Sequence, residues 1–151
     1  MTGSRSSDDP CIFCDALTSD EAAPLLVHRG TTCFVILNLY PYNSGHLLIV
    51  PMRHIPSLAA ATPDELTELM QLTRRAEVAL TEVYQPQGMN IGINLGRPAG
   101  AGIVDHVHIH VVPRWNGDTN FMSVVGDVRV LPEELGETAK RLRPVFERLT
   151  P

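Results

Sequence analysis

The segment from Asp105 to Val112 constrains the fold more than any other part of the chain, because it alternates histidine with apolar residues. Histidine occupies positions 106, 108 and 110, and valine or isoleucine fills the positions between. Successive side chains of a β-strand point to opposite faces, so this pattern predicts a strand with one apolar and one histidine face. The apolar face fits packing on a helix, whereas the histidine face needs a chemical explanation.

Three explanations fit the histidine face. The side chains could be surface or hydrogen-bonded histidines, or alternate histidines could share one zinc ion, as in catalytic three-histidine sites. The third is nucleophilic catalysis at phosphorus, in which one ring nitrogen attacks while the other is held as a donor. A neighbouring imidazole could then hold a phosphate oxygen or protonate the leaving group.

The residues before this strand favour phosphorus chemistry. A glycine-rich turn spans residues 96–102 (GRPAGAG), and the backbone N–H groups of Gly100 and Gly102 can approach an anion closely. The side chain of Asn94 can donate to a phosphoryl oxygen without adding charge. A flexible hairpin loop is the alternative interpretation of the turn.

The remaining pattern predicts an α+β fold with an antiparallel sheet of about five strands, because most links between strands are too short for parallel crossovers. Thr62, Pro63 and Glu65 predict the start of a long helix. Its apolar stripe at helical spacing comprises Leu66, Leu69, Met70, Thr73, Ala76, Leu80 and Val83. The predicted strands are Leu25–His28, Thr32–Leu37, His46–Val50 (stopped by Pro51), Met89–Leu95 and Val104–Pro113, and a C-terminal helix around Leu135–Leu142 is expected to end or kink at Pro144.

Length and charge limit the function classes. The 151 residues predict a polar, disordered tail at 1–10 and a single domain at 11–151. The net charge of −5 argues against nucleic-acid binding by a basic surface. With no signal-peptide pattern and no long apolar run, the expectation is a cytoplasmic protein without a membrane partner.

Residues 106–112 match the His-φ-His-φ-His-φ-φ pattern of the histidine triad (HIT) superfamily at every position, where φ is apolar. Residues 37–51 resemble the nucleotide-binding strand pair of that superfamily. Within it, the segments 37–43, 94–96 and 112–115, with residues 117–118 and 120–121, are most similar to the diadenosine tetraphosphate phosphorylase group. The resemblance implies a HIT-like fold, with a long helix after the nucleotide-binding strands and a C-terminal helix, and a homodimer.

The resemblance assigns the catalytic histidines by position. His108 matches the nucleophile that forms a nucleotidyl intermediate, with its other ring nitrogen held by a backbone carbonyl of the same strand. His110 matches the residue that contacts the phosphate and the leaving oxygen. His46 matches a fourth histidine beside the site.

The resemblance also assigns the substrate contacts. Asn38 matches the position that binds ribose hydroxyls, Asn94 an amide near the phosphates, and Leu37 a residue that lines the base pocket. Family members often carry Ser or Gln near position 102 to touch the phosphate, whereas this chain has Gly102. That substitution leaves the choice between hydrolysis and phosphorolysis open.

The implied activity is a nucleotide hydrolase or transferase that cleaves dinucleoside polyphosphates such as diadenosine tetraphosphate and requires no catalytic cofactor. Transfer to water would make it a hydrolase, and transfer to inorganic phosphate a phosphorylase. The alternatives are a nucleoside phosphoramidate hydrolase, a zinc-stabilised nucleotide-binding module without turnover, and a metallohydrolase built on the three histidines.

The pair Cys11 and Cys14 has three interpretations: packed reduced thiols, a redox pair, or two ligands of a structural zinc that needs two more. No βαβ pattern surrounds the motif, which disfavours a thioredoxin-like redox pair. Some bacterial HIT proteins bind zinc through an N-terminal C-x-x-C, a histidine after the nucleotide-binding strand and the first triad histidine. By that resemblance, His54 and His106 complete the site.

Overall fold

The structure is a computed structural model that describes residues 11–20, 22–39, 43–101, 105–118 and 133–149. One antiparallel sheet has the strand order β1-β2-β3-β5-β4. This five-stranded α+β architecture confirms the predicted fold class. The strands are β1 (Leu26–Arg29), β2 (Cys33–Leu37), β3 (Leu47–Pro51), β4 (Gly88–Ile93) and β5 (Ile109–Arg114).

The long helices lie on one face of the sheet, and a short helix lies on the other. The helices are α1 (Ile12–Ala16), α2 (Pro63–Tyr84) and α3 (Leu135–Arg148), and 3-10 turns span Ala23–Leu25, Leu58–Ala60 and Arg97–Ala99. The apolar face of the sheet packs with α2 and α3, while Phe13 and Ala16 of α1 pack on the opposite face. The sheet therefore has one side that is covered by α2 and α3, and a second side on which His108 and His110 lie.

Helix α2 begins where the sequence predicts. Thr62 Oγ1 accepts from the backbone N–H of Glu65, and the Glu65 carboxylate accepts from the backbone N–H of Thr62. Arg53 also donates to this carboxylate, which lowers the pKa of Glu65 to about 2. The predicted apolar stripe is wrong at Leu66 and Met70, which are 41% and 65% exposed. The buried face of α2 is rotated relative to the predicted stripe, so Leu72 and Ala79 are buried in the core instead.

Strand β3 ends at Pro51 as predicted, whereas the C-terminal helix does not end at Pro144. Pro51 is the last residue of β3 and pairs with Cys33, because the strand ends where a missing N–H is tolerated. Helix α3 runs past Pro144 to Arg148. Leu142 and Phe146, on either side of Pro144, are both fully buried, so their packing outweighs the lost backbone hydrogen bond.

The histidine strand is shorter than predicted. Strand β5 begins at Ile109, and His106 and His108 lie in the segment that leads into it. The backbone N–H of Val107 donates to the carbonyl oxygen of Ile55, in the loop after β3. Because Val107 pairs with this loop, residues 106–108 do not take part in the hydrogen bonds between β3 and β5. Their side chains are positioned by contacts with the loop and with α1.

Two sequence predictions, the tail at 1–10 and the phosphate contact of Gly102, lie outside the described residues. Within the described ranges, no helix is both long and apolar enough to cross a membrane.

Candidate functional site

His108 and His110 of the triad, together with His46, lie on the sheet face opposite the long helices. Leu48 of β3 pairs with Ile36 of β2 on one side and with His110 of β5 on the other, so these three side chains share one face. Phe13 of α1 reaches the same region, with its ring centroid 4.9 Å from that of His108. This face therefore combines apolar packing with two triad imidazoles.

The ring orientation of His108 is fixed by the backbone. Its Nδ1 lies 2.9 Å from the carbonyl oxygen of His106, which can only accept, so Nδ1 carries the proton. A neutral imidazole has one ring proton, which leaves a lone pair on Nε2. Burial lowers the pKa of His108 and keeps the ring neutral at physiological pH. The arrangement is that of an imidazole nucleophile.

His110 and His46 form a second imidazole unit beside His108. His46 Nε2 lies 3.0 Å from His110 Nδ1, and the ring centroids of His108 and His110 are 4.7 Å apart. Burial, together with the neighbouring imidazoles, lowers the pKa of both His46 and His110 to about 4. Both rings are therefore neutral at pH 7, and a single proton links them. Asn38 Nδ2 lies 3.4 Å from the same Nε2 of His46, so the structure brings Asn38 to this pair.

Asn94 and Gly100 contact each other just after β4. Asn94 Nδ2 donates to the carbonyl oxygen of Gly100 at 3.4 Å, and the positive φ of Gly100 (+95°) favours glycine there. Gly92, two residues before Asn94, pairs with His110 across the sheet. The structure thus places this turn at the end of the strand beside the triad.

Leu37, which is predicted to line the base pocket, lies on the side of the sheet that faces away from the histidines. It is 2% exposed and belongs to the core cluster that α2 and α3 cover. Strand alternation puts Ile36 on the histidine face instead, where it packs with Leu48. The sequence pattern missed this because both residues are apolar, and only strand register separates them.

The first turn of α1 brings Cys11 and Cys14 to His54 and His106. Cys11 Sγ lies 3.4 Å from His106 Nδ1, and Cys14 Sγ lies 3.6 Å from His106 Nδ1 and 3.2 Å from His54 Nδ1. All four ligand atoms lie within 4.8 Å of one another. A tetrahedral zinc, with Zn–S about 2.3 Å and Zn–N about 2.0 Å, separates sulfur from nitrogen ligands by about 3.5 Å. The four side chains can therefore hold one metal ion.

The protonation of His106 also suits a ligand. Its Nε2 lies 2.7 Å from the carbonyl oxygen of Pro51 and must donate, which leaves the lone pair on Nδ1 facing the cysteines. The backbone carbonyl of the same residue accepts from His108 Nδ1. His106 therefore joins the candidate metal site to the candidate nucleophile.

The sequence pattern also missed a polar cluster at the end of β5. Asn43 Nδ2 donates to the carbonyl oxygen of Pro113 and to Asp118 Oδ2, and Arg114 forms an ion pair with Asp118. Asn43 and Asp118 are 75 positions apart in the chain, and no spacing rule connects them. Only the fold shows that they meet.

The fold and site together define a small α+β protein in which one sheet face carries buried neutral imidazoles, one of them with a fixed ring proton. A model of the HIT domain matches residues 20–117, so the chain belongs to the HIT domain family.

Named relatives agree with this membership. An AP-4-A phosphorylase of Mycobacterium tuberculosis is 44% identical over 130 residues, covering 86% of this chain and 66% of that protein. An asymmetrical bis(5'-nucleosyl)-tetraphosphatase of Schizosaccharomyces pombe is 40% identical over 91 residues, covering 60% of this chain and 50% of that protein. The chain thus matches between half and two thirds of the length of these relatives.

A solved structure shares the architecture over nearly its whole length. The Zn-bound histidine triad family protein of Mycobacterium smegmatis superposes with a TM-score of 0.72 at 29% identity, covering 91% of this chain and 94% of that one.

Proposed function

We propose that this chain is a nucleotidyl hydrolase or transferase that cleaves dinucleoside polyphosphates of the diadenosine tetraphosphate type. The observation that carries the proposal is the hydrogen bond from His108 Nδ1 to the carbonyl oxygen of His106, which leaves Nε2 free to attack. The activities named for the mycobacterial and fission-yeast relatives support this substrate class.

In the first step, His108 Nε2 attacks the α-phosphorus of the substrate. A P–N bond forms, and the P–O bond to the β-phosphate breaks, which releases a nucleoside polyphosphate. The proton stays on Nδ1 and is donated in a hydrogen bond to the carbonyl oxygen of His106, which stabilises the positive charge that develops on the ring.

In the second step, water or inorganic phosphate attacks the nucleotidyl-histidine and breaks the P–N bond. His110 lies against His108, and we assign it to the phosphate and leaving oxygens, with His46 holding its ring through the Nε2–Nδ1 contact. We assign Asn38 to the ribose hydroxyls and Ile36 to the base side of the pocket.

The phosphate-binding side of the site is assigned to the turn after β4. We propose that Asn94 and the backbone N–H of Gly102 bind the phosphate chain, whereas Gly100 shapes the turn, because its own N–H donates to the carbonyl oxygen of Arg97. Uncharged donors of this kind stabilise anionic oxygens without a basic surface, which fits the net charge of −5.

Product analysis tests the proposal. The protein is incubated with diadenosine tetraphosphate, with and without inorganic phosphate, and the products are separated. ADP plus ATP that form only with phosphate identify a phosphorylase, and AMP plus ATP without phosphate identify a hydrolase. Binding without any turnover under both conditions would contradict the proposal and leave a nucleotide-binding module.

We propose that Cys11, Cys14, His54 and His106 hold one structural zinc ion. Four protein ligands fill a tetrahedral site and leave no open position, so this zinc would pin α1 to the sheet and take no part in the chemistry. Thiolate ligands must stay reduced, which supports a reducing compartment such as the cytoplasm.

We also propose that the chain forms a homodimer through β4 and α2. Within the described ranges, β4 is an edge strand, and its outer edge has no strand partner. Beside it, a groove lined by α2 and β4 exposes Met70 (65%) and Ile91 (47%). Arg74 and Glu77 line the same groove, so its charges complement a second copy of itself.

Replacing Ile91 with glutamate is expected to convert the dimer to a monomer, because the substitution places two carboxylates at the apolar centre of a two-fold interface. Sedimentation equilibrium measures the change. Ala59→Glu, an exposed substitution outside the groove, is the matched control and leaves the dimer intact. Equal molecular masses for wild type and Ile91→Glu would contradict this interface.

A further inference from the structure

We propose that Asn43 and Asp118 form a clamp that positions the loop between β2 and β3, and with it Asn38 and His46, for nucleotide binding. The proposal builds on the function proposed above and assigns a positioning role to two residues outside the histidine row. Asn43 contacts β5 and Asp118, Arg114 holds Asp118 in place, and backbone hydrogen bonds connect Asn43 to His46 and Asn38.

Asn43 uses both hydrogens of its side-chain amide. One N–H donates to the carbonyl oxygen of Pro113 at 2.9 Å, and the other donates to Asp118 Oδ2 at 2.8 Å. Both acceptors lie at the end of β5, whereas Asn43 lies in the β2–β3 loop. The amide therefore joins this loop to the strand that carries His110.

Asp118 is itself held in place. Arg114 donates to both carboxylate oxygens, through Nε at 2.6 Å and Nη2 at 2.9 Å, and lowers the pKa of Asp118. The backbone N–H of Trp115 donates to Oδ2, and Arg114 Nη1 donates to Asn90 Oδ1 of β4. The Asp118 side chain is only 12% exposed. A carboxylate fixed by so many donors is a rigid acceptor for Asn43.

The clamp is connected to the site through the backbone. The N–H of His46 donates to the carbonyl oxygen of Asn43 at 3.2 Å, and the N–H of Asn38 donates to the carbonyl oxygen of His46 at 3.0 Å. The side-chain amide of Asn38 contacts Nε2 of His46, and the same Nε2 contacts Nδ1 of His110. A displacement of Asn43 would therefore reach both the proposed ribose contact and the imidazole pair.

Ser44 and Gly45, which follow Asn43 in the same turn, are held by other parts of the fold. Ser44 Oγ accepts from the backbone N–H of Glu133, just before α3. Gly45 adopts a positive φ of +83°, and a side chain there would meet Leu80 and Tyr84. The core and the residues before α3 thus hold the turn at positions 44 and 45, and Asn43 joins the same turn to Pro113 and Asp118.

The test reverses the polarity of the clamp. Asn43→Asp keeps the shape of the side chain but places a carboxylate against Asp118 and the Pro113 carbonyl, where nothing can donate. We expect kcat/KM for diadenosine tetraphosphate to fall about tenfold or more, mainly through KM, because the ribose contact is made in both ground and transition states. Asn43→Ala removes both donors without adding a charge, and it is expected to lower kcat/KM in the same direction but by less.

Glu82→Gln is the matched control, because it removes the exposed ion pair with Arg148 far from the loop and is expected to leave KM unchanged. Imidazole ¹⁵N resonances provide a second measurement that does not depend on turnover. The resonances of His46 and His110 should shift in Asn43→Asp and, to a smaller extent, in Asn43→Ala. Unchanged resonances in a folded Asn43→Asp protein would overturn the clamp, whereas an inactive wild type would count only against the proposed function.

Discussion

His108→Asn is expected to abolish turnover of diadenosine tetraphosphate while the protein stays folded and binds nucleotide. Asparagine has no nucleophilic ring nitrogen, so the P–N bond cannot form, whereas the surrounding contacts remain. Losing a covalent nucleophile lowers kcat by about 10⁴-fold or more. Steady-state rates measured together with AMP affinity separate loss of chemistry from loss of binding.

His28→Asn is the matched histidine control for this prediction. His28 stacks on Phe146 on the helix side of the sheet, with ring centroids 5.8 Å apart. Its replacement is expected to leave kcat within about threefold of wild type, since no substrate contact is removed. Turnover by His108→Asn at a comparable rate would contradict the assignment of His108 as nucleophile.

Cys14→Ser is expected to lose the metal and to lower both stability and turnover. A serine hydroxyl does not replace a thiolate, so only three ligands remain. We expect the free energy of unfolding to fall by about 3 kcal/mol, which corresponds to roughly 10 °C in Tm for a domain of this size. Elemental analysis and thermal unfolding of the purified protein measure the two effects.

Turnover is expected to fall together with the metal, because the proposed ligand His106 is also the residue whose carbonyl holds His108 Nδ1. Cys33→Ala is the matched cysteine control, because Cys33 is fully buried in β2 and is expected to leave the metal content unchanged. One zinc per chain retained in Cys14→Ser, with an unchanged Tm, would contradict the proposed ligand set.

The sequence predicted the features that depend on local periodicity or local chemistry. The alternation at 106–112 indicated the sheet, and Thr62 with Glu65 indicated the start of α2. The clustering of Cys11 and Cys14 with His54 and His106 followed from the family resemblance, and the structure brings the four side chains together.

Other features depended on long-range packing that no local pattern contains. Ile36 and Leu37 are both apolar, and only the register with β3 decides which one faces the histidines. Strand β5 starts late because Val107 bonds to Ile55 in a loop. The contact between Asn43 and Asp118 likewise joins distant segments that carry no recognisable pairing signal.

The central claim is that His108 forms a covalent nucleotidyl intermediate, and the stereochemical course at the α-phosphorus tests it most directly. The substrate carries sulfur in one defined configuration at this phosphorus, the acceptor is inorganic phosphate or, for hydrolysis, water labelled with a heavy oxygen isotope, and the configuration of the released nucleotide is determined. Each in-line displacement inverts the phosphorus, so attack by His108 followed by attack of water or phosphate predicts net retention. Net inversion would mean a single direct displacement and would contradict the account.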